Sequence, residues 1–322
     1  MRASSFALPS RGVLAVRGDD RQRWLDGMLT CNVKKLAPGG GAHALLLTPQ
    51  GRIVSELHVL QRGDELWLET EASAIAGVVE RLGKFVIADD VTLSDLSASW
   101  ARVALEGDGA HAIFARLGGE VPAAEHGHAH SEIAGTPLVA ARFGFTHAEA
   151  LQLFAPRASE AALIAALEAA GAPRESAESF ESRRVEAGTP WLGKELDDSV
   201  LPAEARLDGV AVAVDKGCYT GQEVVARMRS RGRLSHLLVG LRFADGTLPA
   251  PRSALRGERG EVGSVSSAVL SPRFGAIGLG FVQAALAEPG TRLRVQSGEA
   301  TVASLPFARE AAPSPASGPG GA

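Results

Sequence analysis

Apolar and polar positions alternate in short segments along the first hundred residues. Alternation with a period of two predicts strands, and a spacing of three to four residues predicts helices. The predicted strands are residues 13–16, 44–47, 53–60, 66–69 and 91–96, with the turn 48–51 joining two of them into a hairpin. Helical spacing covers residues 24–29 and 71–84. These patterns together predict one α+β unit.

A second stretch repeats this order less regularly. Residues 100–105, 138–143 and 151–154 predict strands, and residues 110–117 and 159–170 predict helices. After a further predicted helix at 176–187, residues 188–221 show few periodic positions. A connection this long in a compact protein is commonly functional. The sequence therefore predicts a second, similar α+β unit followed by a long irregular segment.

Segments typical of strands dominate the last third of the chain. Residues 237–243, 260–270, 276–282 and 292–295 predict strands separated by glycine-containing turns, which is typical of a small barrel. We therefore predict an α+β protein with two similar N-terminal units, 1–98 and 99–232, and a C-terminal β-barrel, 233–309. The Ala, Pro, Gly and Ser composition of residues 310–322 predicts a disordered tail.

Composition and charge narrow the classes of protein. Of the 322 residues, 45% are hydrophobic and 22% are charged, which is typical of a soluble globular protein and excludes collagen and coiled coil. The formal net charge of -4 provides no broad basic field, so nucleic acid is not an expected partner. No apolar run reaches the ~20 residues of a membrane-spanning helix, and the first residues lack the apolar region of a signal peptide. We therefore expect a cytoplasmic protein without a membrane partner.

The densest group of reactive side chains lies at residues 216–223, K-G-C-Y-T-G-Q-E, which we call the octet. A neighbouring ammonium favours the thiolate form of a cysteine, so Lys216 is predicted to activate Cys218 two residues away, and both are candidate catalytic residues. The alternative is a turn between two elements that buries an unreactive cysteine. Cys31 is the only other cysteine, and the two lack the spacing of a metal site, so no bound metal is predicted.

The octet resembles the signature of the YgfZ-type folate-binding proteins, relatives of the glycine cleavage T-protein that support iron–sulfur protein maturation. Further segments are similar to the same family in the same order: residues 27–36, 48–53 (T-P-Q-G-R-I), 184–188 (R-V-E-A-G) and 202–204 (P-A-E). The resemblance implies that the predicted units close into a ring around a central folate pocket. It also implies tetrahydrofolate as the ligand and iron–sulfur scaffold or target proteins as transient partners.

Two departures from the family pattern bear on activity. Ser55 and Glu56 stand where T-protein relatives carry an Asp-Asp pair, and residues 144–148 (G-F-T-H-A) replace a G-Y-T-G-E segment that supplies a tyrosine and a carboxylate to the pterin. A carboxylate near N5 or N10 of the folate is the expected polar partner for one-carbon transfer. The loss of acidic positions therefore argues against aminomethyl transfer in glycine cleavage.

Folate offers a hydrogen-bonding pterin edge and an anionic glutamate tail. Glu56 or Glu186 is expected to accept hydrogen bonds from the pterin. Arg52 or Arg184 is expected to pair with the tail, because the guanidinium fork fits a carboxylate. The octet adds three folate-binding candidates: Tyr219, Gln222 and Glu223. For a single Arg or Glu, the alternative is a surface ion pair worth under ~1 kcal/mol.

Two further groups of side chains have simpler interpretations. A transition metal would suit the imidazoles of His126, His128 and His130, but their surroundings favour a solvated loop. The octet is followed by a run of alternating basic residues, which suggests one face of a strand or loop. That face is either exposed to solvent only, or it contacts the folate tail or an acidic partner. This run consists of Arg227, Arg229, Arg231 and Arg233.

Three functions remain in competition at this level. The leading prediction is a tetrahydrofolate-binding accessory protein for iron–sulfur cluster assembly or repair in target enzymes. The alternative is a folate-dependent one-carbon transferase or demethylase, and the third is an inert interaction protein with a vestigial pocket. The missing acidic positions argue against the transferase, and the intact octet argues against the inert protein. Stable cluster binding by the monomer is not expected, because a cluster usually needs four ligands.

Overall fold

Residues 2–244 and 246–307 are described by the structure, which is a computed structural model. Their strands are β1 Ser4–Ala7, β2 Arg11–Arg17, β3 Gly41–Leu47, β4 Ile53–Gln61, β5 Glu65–Glu71, β6 Thr92–Asp95, β7 Trp100–Glu106, β8 His128–Ile133, β9 Thr136–Ala141, β10 Ala150–Pro156, β11 His236–Phe243, β12 Ala254–Gly257, β13 Gly260–Ser271, β14 Gly275–Gln283, β15 Arg292–Val295 and β16 Gly298–Ala303. Their α-helices are α1 Arg21–Asp26, α2 Ala72–Gly83, α3 Ala110–Arg116, α4 Glu160–Ala169, α5 Ala177–Ala187 and α6 Gln222–Arg231.

The first sheet has the antiparallel order β3-β4-β5-β2-β6, and the predicted hairpin between β3 and β4 is confirmed. The helices α1 and α2 cover one face of this sheet. Successive residues of a strand point to opposite faces. Leu57 and Val59 of β4 therefore join the core beneath these helices, whereas Leu60 joins the core on the opposite face. Glu56 and His58 share that opposite face, which we call the inner face.

The second sheet has the order β1-β7-β10-β9-β8, with α3 and α4 on its outer side. Its other side meets the inner face of the first sheet through a core rich in aromatic side chains. The strand β1 was not predicted, and its pairing with β7 places residues 4–7 in the second sheet rather than the first. A four-residue strand is too short to show a clear period. The site described below lies between the two sheets.

The predicted C-terminal barrel is confirmed as a closed sheet of order β11-β14-β13-β12-β15-β16. The strands β12 and β16 were missed because their sequences, A-L-R-G and G-E-A-T-V-A, alternate weakly. Val185 of α5 packs against Leu238, Ile277 and Leu279 of the barrel. The predicted fold class, two α+β units and a barrel, is thereby confirmed.

The long connection between α5 and α6 is irregular, as predicted, since α5 ends at Ala187 and α6 begins at Gln222. The predicted single face of alternating arginines is wrong, because Arg227 and Arg229 lie in the helix α6, where residues two apart point roughly 200° apart. Across the described residues, no helix combines the length and apolar character needed to span a bilayer. The predicted tail, 310–322, lies outside the described residues.

Candidate functional site

A buried polar cluster joins the two sheets at the inner face. Arg11 of β2 donates to the carboxylate of Glu69 on β5 from Nε, at 2.7 Å, and from Nη2, at 2.6 Å. Arg102 of β7 approaches the same carboxylate at 2.9 Å. All three side chains are fully buried. One carboxylate therefore bridges a guanidinium from each sheet and holds the two sheets together.

Glu56 extends this cluster along the inner face. Its Oε1 lies 2.9 Å from Nε2 of His58 and 3.1 Å from Nε2 of His43, and its Oε2 lies 3.4 Å from Nη2 of Arg11. Burial by itself raises the pKa of the Glu56 carboxyl, but the charges of Arg11 and His58 outweigh it and hold the pKa well below its usual value. Glu56 is therefore an ionised carboxylate whose two oxygens both have contacts within the chain.

Ser55 points away from this cluster. Its Oγ lies 2.9 Å from Oγ1 of Thr70, and the side chain is fully buried on the helix-covered side of the sheet. Position 56 therefore keeps a carboxylate on the inner face, and position 55 does not supply one there. The sequence suggested that Ser55 removes an acid needed for group transfer. Because the side chain at position 55 points to the helix-covered side, the serine removes no acid from the inner face, and that argument is wrong.

A solvated loop was expected for the histidines of the 126–130 segment, and the structure shows that this expectation is wrong. His128 begins β8 and is buried, His130 is exposed, and His126 packs against the first sheet. Its ring centroid is 5.6 Å from that of His58 and 6.1 Å from that of His43. Burial, and then the two neighbouring imidazoles, lower the pKa of His126 to about 3. The pairing of β8 with β9 carries this segment into the space between the sheets.

A cleft of about 620 Å³ opens beside the polar cluster, between residues 142–148, the end of α5 and the barrel. We call it the aromatic cleft. Phe143, Phe145 and Phe307 contribute to its walls, and Phe143 stacks on His58 with ring centroids 3.8 Å apart. Its volume lies within the range of roughly 300–1,000 Å³ that is usual for small-molecule pockets. Flat, partly aromatic ligands suit walls of this kind.

Charged side chains complete the aromatic cleft. Glu186 at the end of α5 accepts from Oγ of Ser271, at 2.6 Å, and from Nη1 of Arg273, at 3.0 Å. The Arg273 side chain is 44% exposed, so it retains donors for a ligand. Arg142 also lines the cleft. Neither arginine was predicted from the sequence, where the only available signal was the S-P-R-F turn that places Arg273 between two predicted strands.

Two other clefts have similar volumes but different linings. One of about 490 Å³ lies between α2 and the β3–β4 hairpin, and Phe85 is the one aromatic residue in its lining. The other, of about 570 Å³, lies between residues 193–200 and β13. Glu181, Glu195 and Asp197 line it together with Lys194 and Arg252, and Phe281 is the one aromatic residue in its lining. The aromatic cleft is therefore preferred for its aromatic walls.

Arg184 has no free hydrogen-bond donor to offer a ligand in the aromatic cleft. A guanidinium has five N–H donors, and the acceptors around Arg184 use them all. Nε and Nη2 donate to Glu181, Nη1 donates to Thr189 O and Glu195, and Nη2 also donates to Oγ of Ser267. The side chain is fully buried. Its contacts therefore join α5 to the following segment and the barrel and leave no donor for a folate carboxylate, contrary to the expectation from sequence.

Lys216 anchors the octet to the loop that follows α1. Its side chain is fully buried, and Nζ donates to the carbonyls of Asp26, Leu29 and Cys31 at 2.7, 2.6 and 2.6 Å. An ammonium has three donors, so these carbonyls satisfy it. Lys216 is thus directed to the Cys31 loop, whereas Cys218 is exposed. The predicted activation of Cys218 by Lys216 is not supported by this geometry.

The rest of the octet packs at the same outer corner. The Tyr219 ring is buried with its centroid 5.1 Å from Nζ of Lys216, Nε2 of Gln222 donates to Gly217 O at 3.4 Å, and Glu223 pairs with Arg227 at the surface. Gly221 has a φ of +84°, and a Cβ there would lie 2.6 Å from Thr48 O. Glycine is therefore required where the octet meets the hairpin turn.

Neither these octet side chains nor Arg52 line the aromatic cleft. Arg52 donates from Nη1 to Ser199 O and lies 3.5 Å from Oε2 of Glu204. The folate contacts predicted for Arg52, Tyr219, Gln222 and Glu223 therefore have no geometric support. Chain folding therefore separates the family-like segments: residues 184–188 end at the inner cleft, and the octet lies at the outer corner. Of the predicted folate residues, the structure brings Glu186 to the cleft and Glu56 to the cluster behind it.

The two cysteines are expected to differ strongly in reactivity. Cys218 is exposed, whereas Cys31 is 4% exposed and burial raises the pKa of its thiol to about 12. A short pulse of iodoacetamide at pH 7 should therefore label Cys218 and spare Cys31 in the folded protein. Peptide mass spectrometry measures both labels, and a pulse in urea provides the control in which both cysteines react. Equal labelling of the two in the folded protein would contradict this placement.

Fold and site define a protein of two facing sheets and a barrel, with a cleft lined by aromatic and charged side chains. The family model for the GCVT N-terminal domain matches residues 3–216, and the model for the glycine cleavage T-protein C-terminal barrel domain matches residues 237–308. The chain therefore belongs to the glycine cleavage T-protein family.

Individual relatives agree with this assignment. The chain is 30% identical over 332 residues to an aminomethyltransferase of Geobacillus kaustophilus, covering 96% of this chain and 88% of the relative. It is 30% identical over 327 residues to an aminomethyltransferase of Saccharopolyspora erythraea, covering 95% of this chain and 87% of the relative. The crystal structure of the glycine cleavage system aminomethyltransferase T from Bartonella henselae superposes with a TM-score of 0.83 at 21% identity, covering 95% and 86%. This last similarity concerns the fold.

Proposed function

We propose that the protein is a YgfZ-type member of its family: a tetrahydrofolate-binding accessory protein for iron–sulfur cluster assembly or repair in target enzymes. The observation that carries the proposal is the spatial separation of two features. A cleft suited to folate lies between the sheets and the barrel, and a fixed, exposed thiol lies at an outer corner where another protein can reach it. A cytoplasmic location is part of the proposal.

Folate is proposed to bind in the aromatic cleft. Phe143 and Phe145, which are 5% and 3% exposed, present ring edges to the pterin and the benzoyl ring, because edge contacts stabilise aromatic pairs. Arg273 pairs with carboxylates of the tail, and Glu186, 3.0 Å from Arg273, holds that guanidinium in place rather than accepting from the pterin at the opposite end of folate. Glu56, whose oxygens already have contacts inside the chain, acts behind the cleft by fixing His58 and hence Phe143.

Cys218 is proposed to serve the partner protein. The anchor formed by Lys216 fixes the loop that carries the thiol, so an approaching cluster meets the sulfur at a defined position. One thiolate supplies one ligand where a cluster usually has four. The interaction with iron–sulfur scaffold or target proteins is therefore transient and shared, and no cluster stays on the monomer.

Complementation of a deletion strain tests this function. Activities of iron–sulfur enzymes are measured in the deletion strain and after expression of wild type, Cys218→Ala or Cys31→Ala at matched protein levels. Wild type and Cys31→Ala should restore the activities, and Cys218→Ala should not. Unchanged cluster enzymes in the deletion strain would refute the accessory role. Full rescue by Cys218→Ala would refute the role of the thiol.

A folate-dependent transferase is the second candidate. The carboxylate that Glu56 keeps on the inner face and the aminomethyltransferase names of the relatives favour it. Against it, the low pKa of Glu56 makes a weak base, and Ala148 carries no acid at the cleft. We expect the purified protein to bind tetrahydrofolate without accepting the aminomethyl group from the glycine-cleavage carrier. Formation of methylenetetrahydrofolate from the loaded carrier would favour the transferase.

Arg273→Ala is expected to weaken binding of polyglutamylated tetrahydrofolate more than binding of a bare reduced pterin. A charged hydrogen bond contributes about 1.5–3 kcal/mol, which corresponds to roughly ten- to a hundredfold in affinity. Isothermal titration measures both ligands. Arg292→Ala is the matched control, because Arg292 is an exposed barrel residue outside the cleft. Equal losses for both ligands would show that Arg273 does not contact the tail.

A further inference from the structure

Two histidines and a glutamate converge on the inner face through strand register alone. His43 of β3 and His58 of β4 are directly opposite each other in the antiparallel pair, which places their Cβ atoms roughly 4.5–5.5 Å apart. Glu56 lies two residues before His58 and therefore on the same face. None of the three lines the aromatic cleft. The sequence pattern predicted no metal, and its only cluster of histidines was the 126–130 segment.

The donor atoms are close enough to bind one ion. Nε2 of His43 and Nε2 of His58 lie 3.1 and 2.9 Å from Oε1 of Glu56, and the three atoms all lie within 4.8 Å of one another. Nitrogen and oxygen ligands bind Zn²⁺ at about 2.0–2.2 Å, which spaces ligands around an ion by roughly 3–3.5 Å. We propose that His43, Glu56 and His58 form a site for a divalent transition-metal ion of the Zn²⁺ or Fe²⁺ type.

Unpartnered buried nitrogens support the site independently of these distances. Nε2 of His43 is buried and has no hydrogen-bond partner in the described part of the chain, because its approach to Glu56 lacks hydrogen-bond geometry. Nδ1 of His126 is also buried and unpartnered, and its ring faces the same cluster. Buried polar atoms are normally satisfied. A bound ion would satisfy Nε2 of His43.

Neighbouring groups hold the ligands in place. The carboxylate of Glu56 turns Oε2 toward Arg11, at 3.4 Å, which leaves Oε1 for the ion. The His58 ring stacks on His43, with centroids 4.7 Å apart, and on Phe143, with centroids 3.8 Å apart. Arg11 and Phe143 are outer groups of the kind that orient ligands in metal sites. The planes of the His43 and His58 rings are 11° from parallel, so their in-plane Nε2 lone pairs converge on one ion after one ring turns.

The donor set decides the class of ion. Two imidazoles and one carboxylate are ligands of Zn²⁺ and of non-haem Fe²⁺, both of which use such sets with further positions open. Ca²⁺ and Mg²⁺ prefer oxygen ligands throughout. The site therefore takes a first-row transition metal, and Ca²⁺ or Mg²⁺ at equal concentration should not compete.

The test is a metal titration of the full-length protein without folate, so its outcome is independent of the proposed function. Chelator-treated protein is titrated with Co²⁺ as the spectroscopic probe and then with Zn²⁺, and bound metal is measured after gel filtration. Wild type should retain one equivalent, and each metal should raise the Tm because it binds the folded state. His43→Gln and Glu56→Gln should weaken retention at least about tenfold.

His130→Gln is the matched control, because His130 is an exposed histidine on β8 and should leave retention unchanged. His43 lies on the edge strand β3, so its replacement spares the interior of the sheet. Far-UV circular dichroism checks the fold of each variant. Absence of stoichiometric metal in wild type, or equal retention by wild type and folded His43→Gln, would overturn the proposal.

Discussion

Replacing Glu69 with glutamine is expected to lower the free energy of unfolding by about 3–5 kcal/mol, the usual cost of removing one partner from a buried ion pair. The carboxylate is fully buried and binds Arg11 through two hydrogen bonds and Arg102 at 2.9 Å. The amide keeps the shape but removes the charge. Two guanidiniums would then remain buried without their common counter-ion.

Urea unfolding followed by tryptophan fluorescence measures this loss. Glu80→Gln is the control, because Glu80 pairs with Lys84 at the surface and its replacement should leave stability nearly unchanged. A loss in Glu69→Gln no larger than in the control would contradict the account of the inner face.

The pH dependence provides a second check on Glu69. Burial raises the pKa of this carboxyl, but the charges of Arg11 and Arg102 lower it by more than burial raises it. The pKa of Glu69 therefore lies below its usual value. A lowered pKa contributes stability that is fully present above the usual pKa and is lost as the pH falls through the lowered one. The stability difference between wild type and Glu69→Gln should therefore shrink in acid.

Replacing Lys216 with methionine is the second large change, with an expected loss of about 3–5 kcal/mol. Methionine preserves length and apolar character but leaves the carbonyls of Asp26, Leu29 and Cys31 without their donor. The loop after α1 should then open, and Cys31 should become reactive to iodoacetamide. Cys218 is exposed already, and its labelling should change little.

Lys84→Met is the matched control for stability, because Lys84 is an exposed lysine on the surface next to α2. Labelling of the two cysteines distinguishes two roles for Lys216: anchoring the Cys31 loop, as in the structure, or activating Cys218, as the sequence suggested. If Lys216→Met slows labelling of Cys218 and leaves Cys31 protected, the ammonium acts on Cys218 and the anchor is wrong.

Regular alternation made much of the fold predictable. The β3–β4 hairpin, α2 and four barrel strands follow from local patterns of apolar residues, and the irregular segment before α6 follows from their absence. The strands β1, β8, β12 and β16 were not predicted because their apolar patterns are short or interrupted by polar residues. Pairing of β1 with β7 is a contact between distant segments that no local pattern encodes.

The site was less predictable because its residues meet through tertiary contacts. Arg184 has the residue type of a carboxylate binder, yet Glu181 and Glu195 surround it. Lys216 is close to Cys218 in sequence, yet its ammonium points to Cys31. His126 belongs to a polar stretch, yet it packs on His58 across two sheets. In each case the direction of a side chain decides its role, and spacing in sequence does not specify that direction.

Tetrahydrofolate binding by an Ala148→Trp variant tests the central claim most directly. Ala148 is an exposed residue that lines the aromatic cleft, so an indole there fills the cleft without disturbing the core. Ala161→Trp on the exposed side of α4 is the matched control. Isothermal titration should show one tetrahydrofolate site in wild type and Ala161→Trp and none in Ala148→Trp. Absence of binding in wild type, or equal affinity of all three proteins, would contradict the assignment of the cleft.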